Sequence, residues 1–297
     1  MKIIKLVSGG VDSSIMAKSY EGKNVYVDFG QKYARFEKEA LHRLGIEFDQ
    51  IIINSAFKDD KIYIPDRNLM MATLITTIYN PDVIMIAGLK DDRCIDKNEE
   101  AFNRMSSIIS QFTDHPVKVI SPYFNLTKGE IVYNFPDKAI LSNTFSCYNP
   151  SKNGKPCGNC PACLRKAVAL ETNGISCGFT VSEEIITEYL HKIHTYDPDR
   201  ISRFLIYLKS RKPVYAIDID GVLCEDRGAY SDRKPIKTAI DALRNIDGYI
   251  MLYTARLEID RLATEKWLSD NLVPYDLLIM NKIPYSAIVD DKSRKEV

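Results

Sequence analysis

Leu6-Val7-Ser8-Gly9-Gly10-Val11-Asp12-Ser13-Ser14 is the stretch whose reading decides the fold. Lys2 to Val7 is apolar enough for a buried strand, and Ile15, Met16 and Ala17 open a helical pattern. The Ser-Gly-Gly turn therefore joins a strand to a helix N-terminus, where unpaired backbone N–H groups and the helix dipole favour an anion. Gly9 and Gly10 let the backbone close on a phosphate with no Cβ in the way. Ser8, Ser13 and Ser14 add short hydroxyl donors. There is no G-x-x-x-x-G-K-[ST], so this is not a Walker-type loop. A bare Ser-Gly-Gly would be no more than a turn; Ser-Gly-Gly-x-Asp-Ser-Ser directly after a strand points to phosphate binding.

Outward from the loop, apolar strands alternate with helical stretches. Strands are expected at Asn24–Phe29, Gln50–Asn54, Val83–Ala87 and Val117–Ile120, and helices at Ala34–Leu44, Leu69–Tyr79 and Phe102–Phe112. Gly45 and Asn80-Pro81 supply helix stops. Such alternation argues for an α/β fold with a parallel sheet covered on both faces. Ligands of these sheets sit at the C-terminal strand ends, where Ser8, Asp28 and Gly88 fall.

The loop resembles the pyrophosphate-binding loop of the PP-loop ATP pyrophosphatases, which adenylate a substrate and release pyrophosphate. Four further stretches narrow the resemblance. They are Asp28-Phe29-Gly30-Gln31-Lys32, Ile64-Pro65-Asp66-Arg67-Asn68, Thr127-Lys128-Gly129-Glu130-Ile131, and Thr144-Phe145-Ser146-Cys147-Tyr148 followed by Cys157-Gly158-Asn159-Cys160-Pro161-Ala162-Cys163-Leu164-Arg165. In this order they resemble the QueC family of 7-cyano-7-deazaguanine (preQ0) synthases over residues 1–175. The resemblance implies conversion of 7-carboxy-7-deazaguanine to the nitrile with ATP and ammonia, through an adenylated carboxylate and an amide. It implies ATP at Ser8, Gly9, Gly10, Asp12, Ser13, Ser14 and Gly88, and substrate at Gln31, Arg67, Asn68 and Asp92. Two segments depart from the family: Ile51–Tyr63 is short, and the family's D-x-S-G-Y-P-D-C-R-like signature is replaced by the stretch Asp91–Glu100. Both are expected to border the substrate, so ATP activation is better founded than the identity of the base, and arrest at the amide is open.

The cysteines repeat a different logic. Cys147, Cys157, Cys160 and Cys163 offer four thiolates for one tetrahedral zinc, with Gly154, Gly158 and Pro161 supplying the turns. A full four-cysteine shell leaves no open position, so the expected site is structural. Cys94, Cys177 and Cys224 read as free, buried residues, and His191 and His194 as polar positions on one helix.

Residues 179–212 read as a helical linker. Thr180 and Glu183 make a capping box, and Asp197-Pro198 places a cap before a first-turn proline. From Pro213 onward, strands are expected at Val214–Ile219, Tyr249–Tyr253, Leu277–Met280 and Ala287–Val289. Asp218-x-Asp220-Gly221-Val222, then Thr254, Lys282 and Asp290-Asp291, resemble the haloacid dehalogenase (HAD) phosphohydrolases over residues 213–297. The resemblance implies Asp218 as nucleophile and Asp220 as acid and base. Thr254 and Lys282 would hold phosphoryl oxygens, and Asp218, Asp220, Asp290 and Asp291 would hold Mg²⁺. The short run from Asp220 to Thr254 leaves no room for a large cap domain.

The expected organisation is a PP-loop domain with its zinc knuckle over 1–178, the linker over 179–212, and a small Rossmann-like, capless HAD domain over 213–297. Composition agrees with two globular domains: the chain has 297 residues, 45% of them hydrophobic. Lys plus Arg equals Asp plus Glu at 40 each, which argues against nucleic-acid binding through bulk charge. Nucleic acid is not required for the N-terminal reaction, whose partners are a small 7-deazapurine and ammonia. No apolar run reaches membrane-spanning length, and seven cysteines with four clustered suit a reducing compartment, so a cytoplasmic enzyme is expected. A homodimer is left open. So are a PP-loop enzyme acting on another carboxylate or base, and a nucleotide-binding module with a degenerate HAD domain.

Overall fold

The computed structural model describes residues 1–53 and 64–283. Chain contacts divide it into two units: Met1–Ile186 with Tyr196–Tyr207, and Thr187–Thr195 with Leu208–Val297. Among the described residues no helix is long and apolar enough to cross a membrane.

The first unit is built on β1 (Ile3–Leu6), α1 (Val11–Ser19), β2 (Lys23–Asp28), α2 (Ala34–Arg43), β3 (Asp49–Ile52), α3 (Arg67–Tyr79), β4 (Val83–Met85), α4 (Glu99–Ser110) and β5 (Lys118–Ile120). It continues through α5 (Lys128–Asn134) and α6 (Pro161–Glu171). The five strands are all parallel, in the order β3-β2-β1-β4-β5. Connections therefore leave β1 in opposite directions, to β2 on one side and, after β3, to β4 on the other. That reversal opens a crevice at the C-terminal strand ends. On one face Ile4, Val25, Ile84 and Val119 pack with Ala72 and Ile75 of α3 and Phe102 and Met105 of α4. On the other, Val7 and Tyr26 pack with Ala34 and Leu41 of α2. Lys5 is buried in β1, its Nζ donating to Ala17 O at 2.9 Å and to Tyr20 O, so a strand residue ties down the end of α1.

The helices α7 (Glu183–His191) and α8 (Pro198–Arg211) of the expected linker are shared between the two units. The cap of α7 is Ser182, whose Oγ accepts from Ile185 N at 3.4 Å; the Thr180 box is displaced because the helix starts at Glu183. Asp197 does cap α8, accepting from Asp199 N at 3.0 Å. His191 ends α7 while His194 lies in the separate 3-10 turn Ile193–Thr195, so they do not share a helix.

The second unit carries β6 (Val214–Ile217), α9 (Lys237–Leu243), β7 (Tyr249–Tyr253), α10 (Arg261–Asp270) and β8 (Leu277–Ile279). Its three strands are parallel in the order β6-β7-β8. Leu252, Leu278, Ile240, Trp267 and Leu268 form its core. β6 stops two residues short of the expected end because Ile219 O accepts from Leu223 N and Cys224 N in a tight turn. The expected strand Ala287–Val289, the residues Asp290 and Asp291, and most of the short segment 51–63 lie outside the described residues.

Candidate active sites and cysteine centre

Gly10 is the N-cap of α1, and Gly9 before it has φ +68°. A Cβ on Gly9 would stand 2.5 Å from the Glu37 carbonyl oxygen, so only glycine lets α2 pack this closely on the loop. Ser13 Oγ lies 3.1 Å from both Ser8 N and Ser8 Oγ and closes the turn. Phe145 N donates to Gly9 O at 2.8 Å from outside it.

The loop opens on a cavity of about 390 Å³. Ser8, Gly10, Asp12 and Ser13 line it, as do Gln31, Arg67, Asn68 and Asp92. Gly9, Ser14 and Gly88 do not reach it. Gly88 instead exchanges hydrogen bonds with Ser121 Oγ (3.0 and 2.7 Å), and a Cβ there would meet Phe124 at 2.7 Å. Gln31 is held inside the wall: its amide donates to Tyr26 OH (2.7 Å) and Glu37 Oε2 (3.0 Å), and its carbonyl accepts from Phe29 N. Asn68 donates to Asp96 Oδ2 at 2.9 Å and so anchors the rewritten segment to the start of α3.

Sequence reasoning missed four charged lining residues, Glu37, Lys97, Lys128 and Arg165. Lys128 pairs with Asp12 at 2.6 Å. Asp92, 3% exposed at its side chain, takes Lys97 at 2.8 Å and Arg165 at 2.9 Å, and Asp91 sits 3.3 Å from Arg165. Burial works against the Asp92 charge, but Lys97 and Arg165 outweigh it and hold the carboxyl well below the usual range. For Lys128 burial dominates and lowers its pKa despite Asp12. Lys128 and Arg165 stood inside recognised motifs without an assigned role; Lys97 and Glu37 carried no signal of their own.

The four cysteines Cys147, Cys157, Cys160 and Cys163 gather with every sulfur within 4.8 Å of the others. Cys147 Sγ accepts from Cys157 N and Asn149 N at 3.2 and 3.3 Å, and Cys160 Sγ from Cys163 N at 3.4 Å. Such donors favour thiolates, and four buried or half-buried sulfurs fit a tetrahedral zinc with no open position. Gly158, at φ +66°, brings the knuckle against Thr180, whose carbonyl oxygen a Cβ would meet at 2.1 Å. Lys166 of α6 is buried, donates to Ser142 O and Thr144 O, and is pushed down to about 8 by that burial. The cysteine segment and the phosphate loop are thus joined through Thr144 and Phe145. Cys177 and Cys224 are buried, but Cys94 is exposed, because the segment 91–98 runs along the cavity wall and not through the core.

In the second unit, Asp218 and Asp220 follow β6, Thr254 follows β7, and Lys282 follows β8. Lys282 Nζ pairs with Asp218 Oδ2. Asp220 is held by Arg256 and by Arg233, each at 2.6 Å. Burial raises the Asp220 carboxyl, yet the hydrogen bond and charge of Arg256, with Arg233, bring it below its ordinary value. Thr254 is fully buried and its Oγ1 accepts from Arg256 N at 3.2 Å. Tyr230 stacks on both guanidiniums, 4.3 and 4.7 Å from their Cζ atoms. The two arginines are new to the site. Of the four carboxylates expected to hold Mg²⁺, the described Asp218 pairs with Lys282, and Asp220 with Arg233 and Arg256.

A parallel five-stranded α/β sheet with a Ser-Gly-Gly-x-Asp-Ser-Ser loop at its switch point is consistent with a PP-loop domain. Comparison narrows this: residues 49–174 match the family described as queuosine biosynthesis protein QueC. The 7-cyano-7-deazaguanine synthase of Hydrogenovibrio crunogenus is 26% identical over 218 residues, covering 59% of this chain and 93% of that protein. The synthase of Methanothermobacter thermautotrophicus is 28% identical over 219 residues, with 59% and 96% covered. That of Nitratiruptor sp. is 28% identical over 212 residues, with the same coverage. The N-terminal part of the chain is thus similar to nearly whole QueC proteins.

Proposed function

We propose that the first unit is an ATP-dependent ligase that joins ammonia to the carboxylate of 7-carboxy-7-deazaguanine, giving the amide and then the nitrile. The observation that carries this reading is that the Ser8–Ser14 loop and the cations Lys97, Lys128 and Arg165 open on one cavity. Backbone N–H groups at the start of α1 suit the pyrophosphate. Lys128 and Arg165 offset the charge that builds on it as the substrate carboxylate displaces it from the α-phosphorus. Lys97, on the segment that departs from the family, faces the same space and suits an acidic substrate. Cys147, Cys157, Cys160 and Cys163 would hold zinc, whose contribution when bound is to cross-link the knuckle. The test is incubation of the full chain with the carboxylate, ATP, Mg²⁺ and ammonium, followed by mass spectrometry. Amide or nitrile with matching pyrophosphate supports the reading; pyrophosphate release only with some other carboxylate overturns the substrate.

A phosphatase reading of the second unit is favoured by the gathering of Asp218, Asp220, Thr254 and Lys282 beyond the ends of three parallel strands. Asp218 would attack phosphorus, with Lys282 and Thr254 beside the phosphoryl oxygens. The acid role expected of Asp220 is opposed by Arg233 and Arg256, which favour its ionised form. Mg²⁺, when bound, would supply further charge neutralisation. Asp218→Asn should remove hydrolysis of p-nitrophenyl phosphate and spare pyrophosphate release. Hydrolysis at the wild-type rate in that variant would end the phosphatase reading.

A further inference from the structure

Glu37 is the lining group that the reading above leaves without a task. It sits on α2 where that helix packs against Gly9, so its backbone touches the phosphate loop while its carboxylate faces the cavity. Oε2 is fixed by two donors, Tyr26 OH at 2.7 Å and Gln31 Nε2 at 3.0 Å. Both donors are themselves anchored: Tyr26 belongs to the core of β2, and Gln31 is tied to Phe29 N. A carboxylate held this firmly in the wall of the cavity onto which the loop opens is arranged to take a proton.

Ammonia attack creates that proton. The nitrogen lone pair forms the new C–N bond, and the nitrogen becomes positively charged. The C–O bond to the phosphate then breaks, its electron pair leaving on AMP. In sum, acyl-adenylate and ammonia give amide, AMP and one proton. We propose that the Glu37 carboxylate accepts that proton from the attacking nitrogen. The assignment rests on the ligase reading of this cavity. Its environment suits the task. Burial raises the carboxyl to about 7, opposed by the hydrogen bonds from Tyr26 and Gln31 and by the charge of Arg67, and supported by the charge of Asp28. A base poised near the working pH is the effective one. The titratable groups facing it are therefore Tyr26, as a neutral phenol, and Asp28 from β2, and Arg67 from α3; Lys38 is held by Asp28 at 2.9 Å.

The test uses single-turnover kinetics on the full chain with 7-carboxy-7-deazaguanine, Mg-ATP and a fixed concentration of free ammonia. Glu37→Gln is expected to keep its pyrophosphate burst within about twofold and to lose about 10²–10⁴-fold in amide formation, the usual range for removing a general base. Hydroxylamine should restore acyl transfer in this variant, because its adduct is acidic enough to lose the proton to water. Tyr26→Phe removes one donor from the carboxylate and should move the acid limb of the aminolysis profile to higher pH. Wild-type amide formation by Glu37→Gln overturns the proposal. Loss of its burst also overturns it, since the residue would then act before ammonia arrives. So does an unmoved profile in Tyr26→Phe. A wild-type chain that releases pyrophosphate and never forms amide ends the ligase reading itself, and the role of Glu37 with it.

Discussion

Replacing Asp92 by Asn removes the carboxylate at the centre of the cavity's ion cluster while keeping its shape and its acceptor for Leu89 N. Breaking a fully buried ion pair costs about 3–5 kcal/mol, most of it the penalty of a stranded charge. Here the stranded cations, Lys97 and Arg165, are 22% and 25% exposed, and Arg165 keeps Asp91 at 3.3 Å. Water and Asp91 therefore relieve part of the penalty, and about 2–3 kcal/mol should remain. For a unit of this size that corresponds to a fall in Tm of about 5–10 °C. Differential scanning calorimetry of both proteins reads it. The only tryptophan, Trp267, lies in the second unit, so its fluorescence follows that unit separately. The sign with pH follows from the depressed carboxyl: its stabilisation is present above the ordinary aspartate value, about 3.9, and is lost as pH falls through the folded value. The gap between wild type and Asp92→Asn should thus be full at pH 7 and narrow only below about pH 4. A variant melting within a degree of wild type at pH 7 would refute the cluster's role in holding the cavity wall.

Cys160→Ser should lower bound zinc from about one equivalent to a small fraction, read by metal analysis of the purified chain, since three thiolates hold the ion far less tightly. Ser13→Ala removes the hydroxyl that closes Ser8 onto α1 and should slow pyrophosphate release by about two orders of magnitude, measured by a coupled pyrophosphate assay. Arg256→Ala leaves Asp220 with Arg233 alone and empties a fully buried volume; it should destabilise the second unit by about 3 kcal/mol, read by Trp267 fluorescence in urea.

The loop and the cysteine knuckle were legible because each is compact in the chain: residues neighbouring in space are neighbours in sequence. The cavity's cations were not. Lys97 lies in the loop between β4 and α4, Lys128 opens α5 and Arg165 lies on α6, and they meet only when these segments pack together. Element edges slipped where polar residues continue an apolar pattern. α4 starts at Glu99, ahead of the expected start at Phe102, because Asn98 caps it by accepting from Ala101 N at 2.8 Å. Cys94 misled for the complementary reason, since thiol chemistry alone does not distinguish a core from a cavity wall. In the second unit the arginines that pair with Asp220 lie 13 and 36 positions further on (220 to 233 and 220 to 256) and follow no local rule.

The strand order β3-β2-β1-β4-β5 divides labour between the centre and the margin of the first unit. The crevice exists because the connections on the two sides of β1 run apart, so its floor is set by backbone topology and by a loop that leaves β1 directly. Its margin is set by whatever follows β3 and β4. Those margins can be shortened or rewritten without disturbing a single strand pairing. The crevice floor thus comes with the sheet, while part of its wall, segment 91–98, is carried on a loop outside the strand pairing.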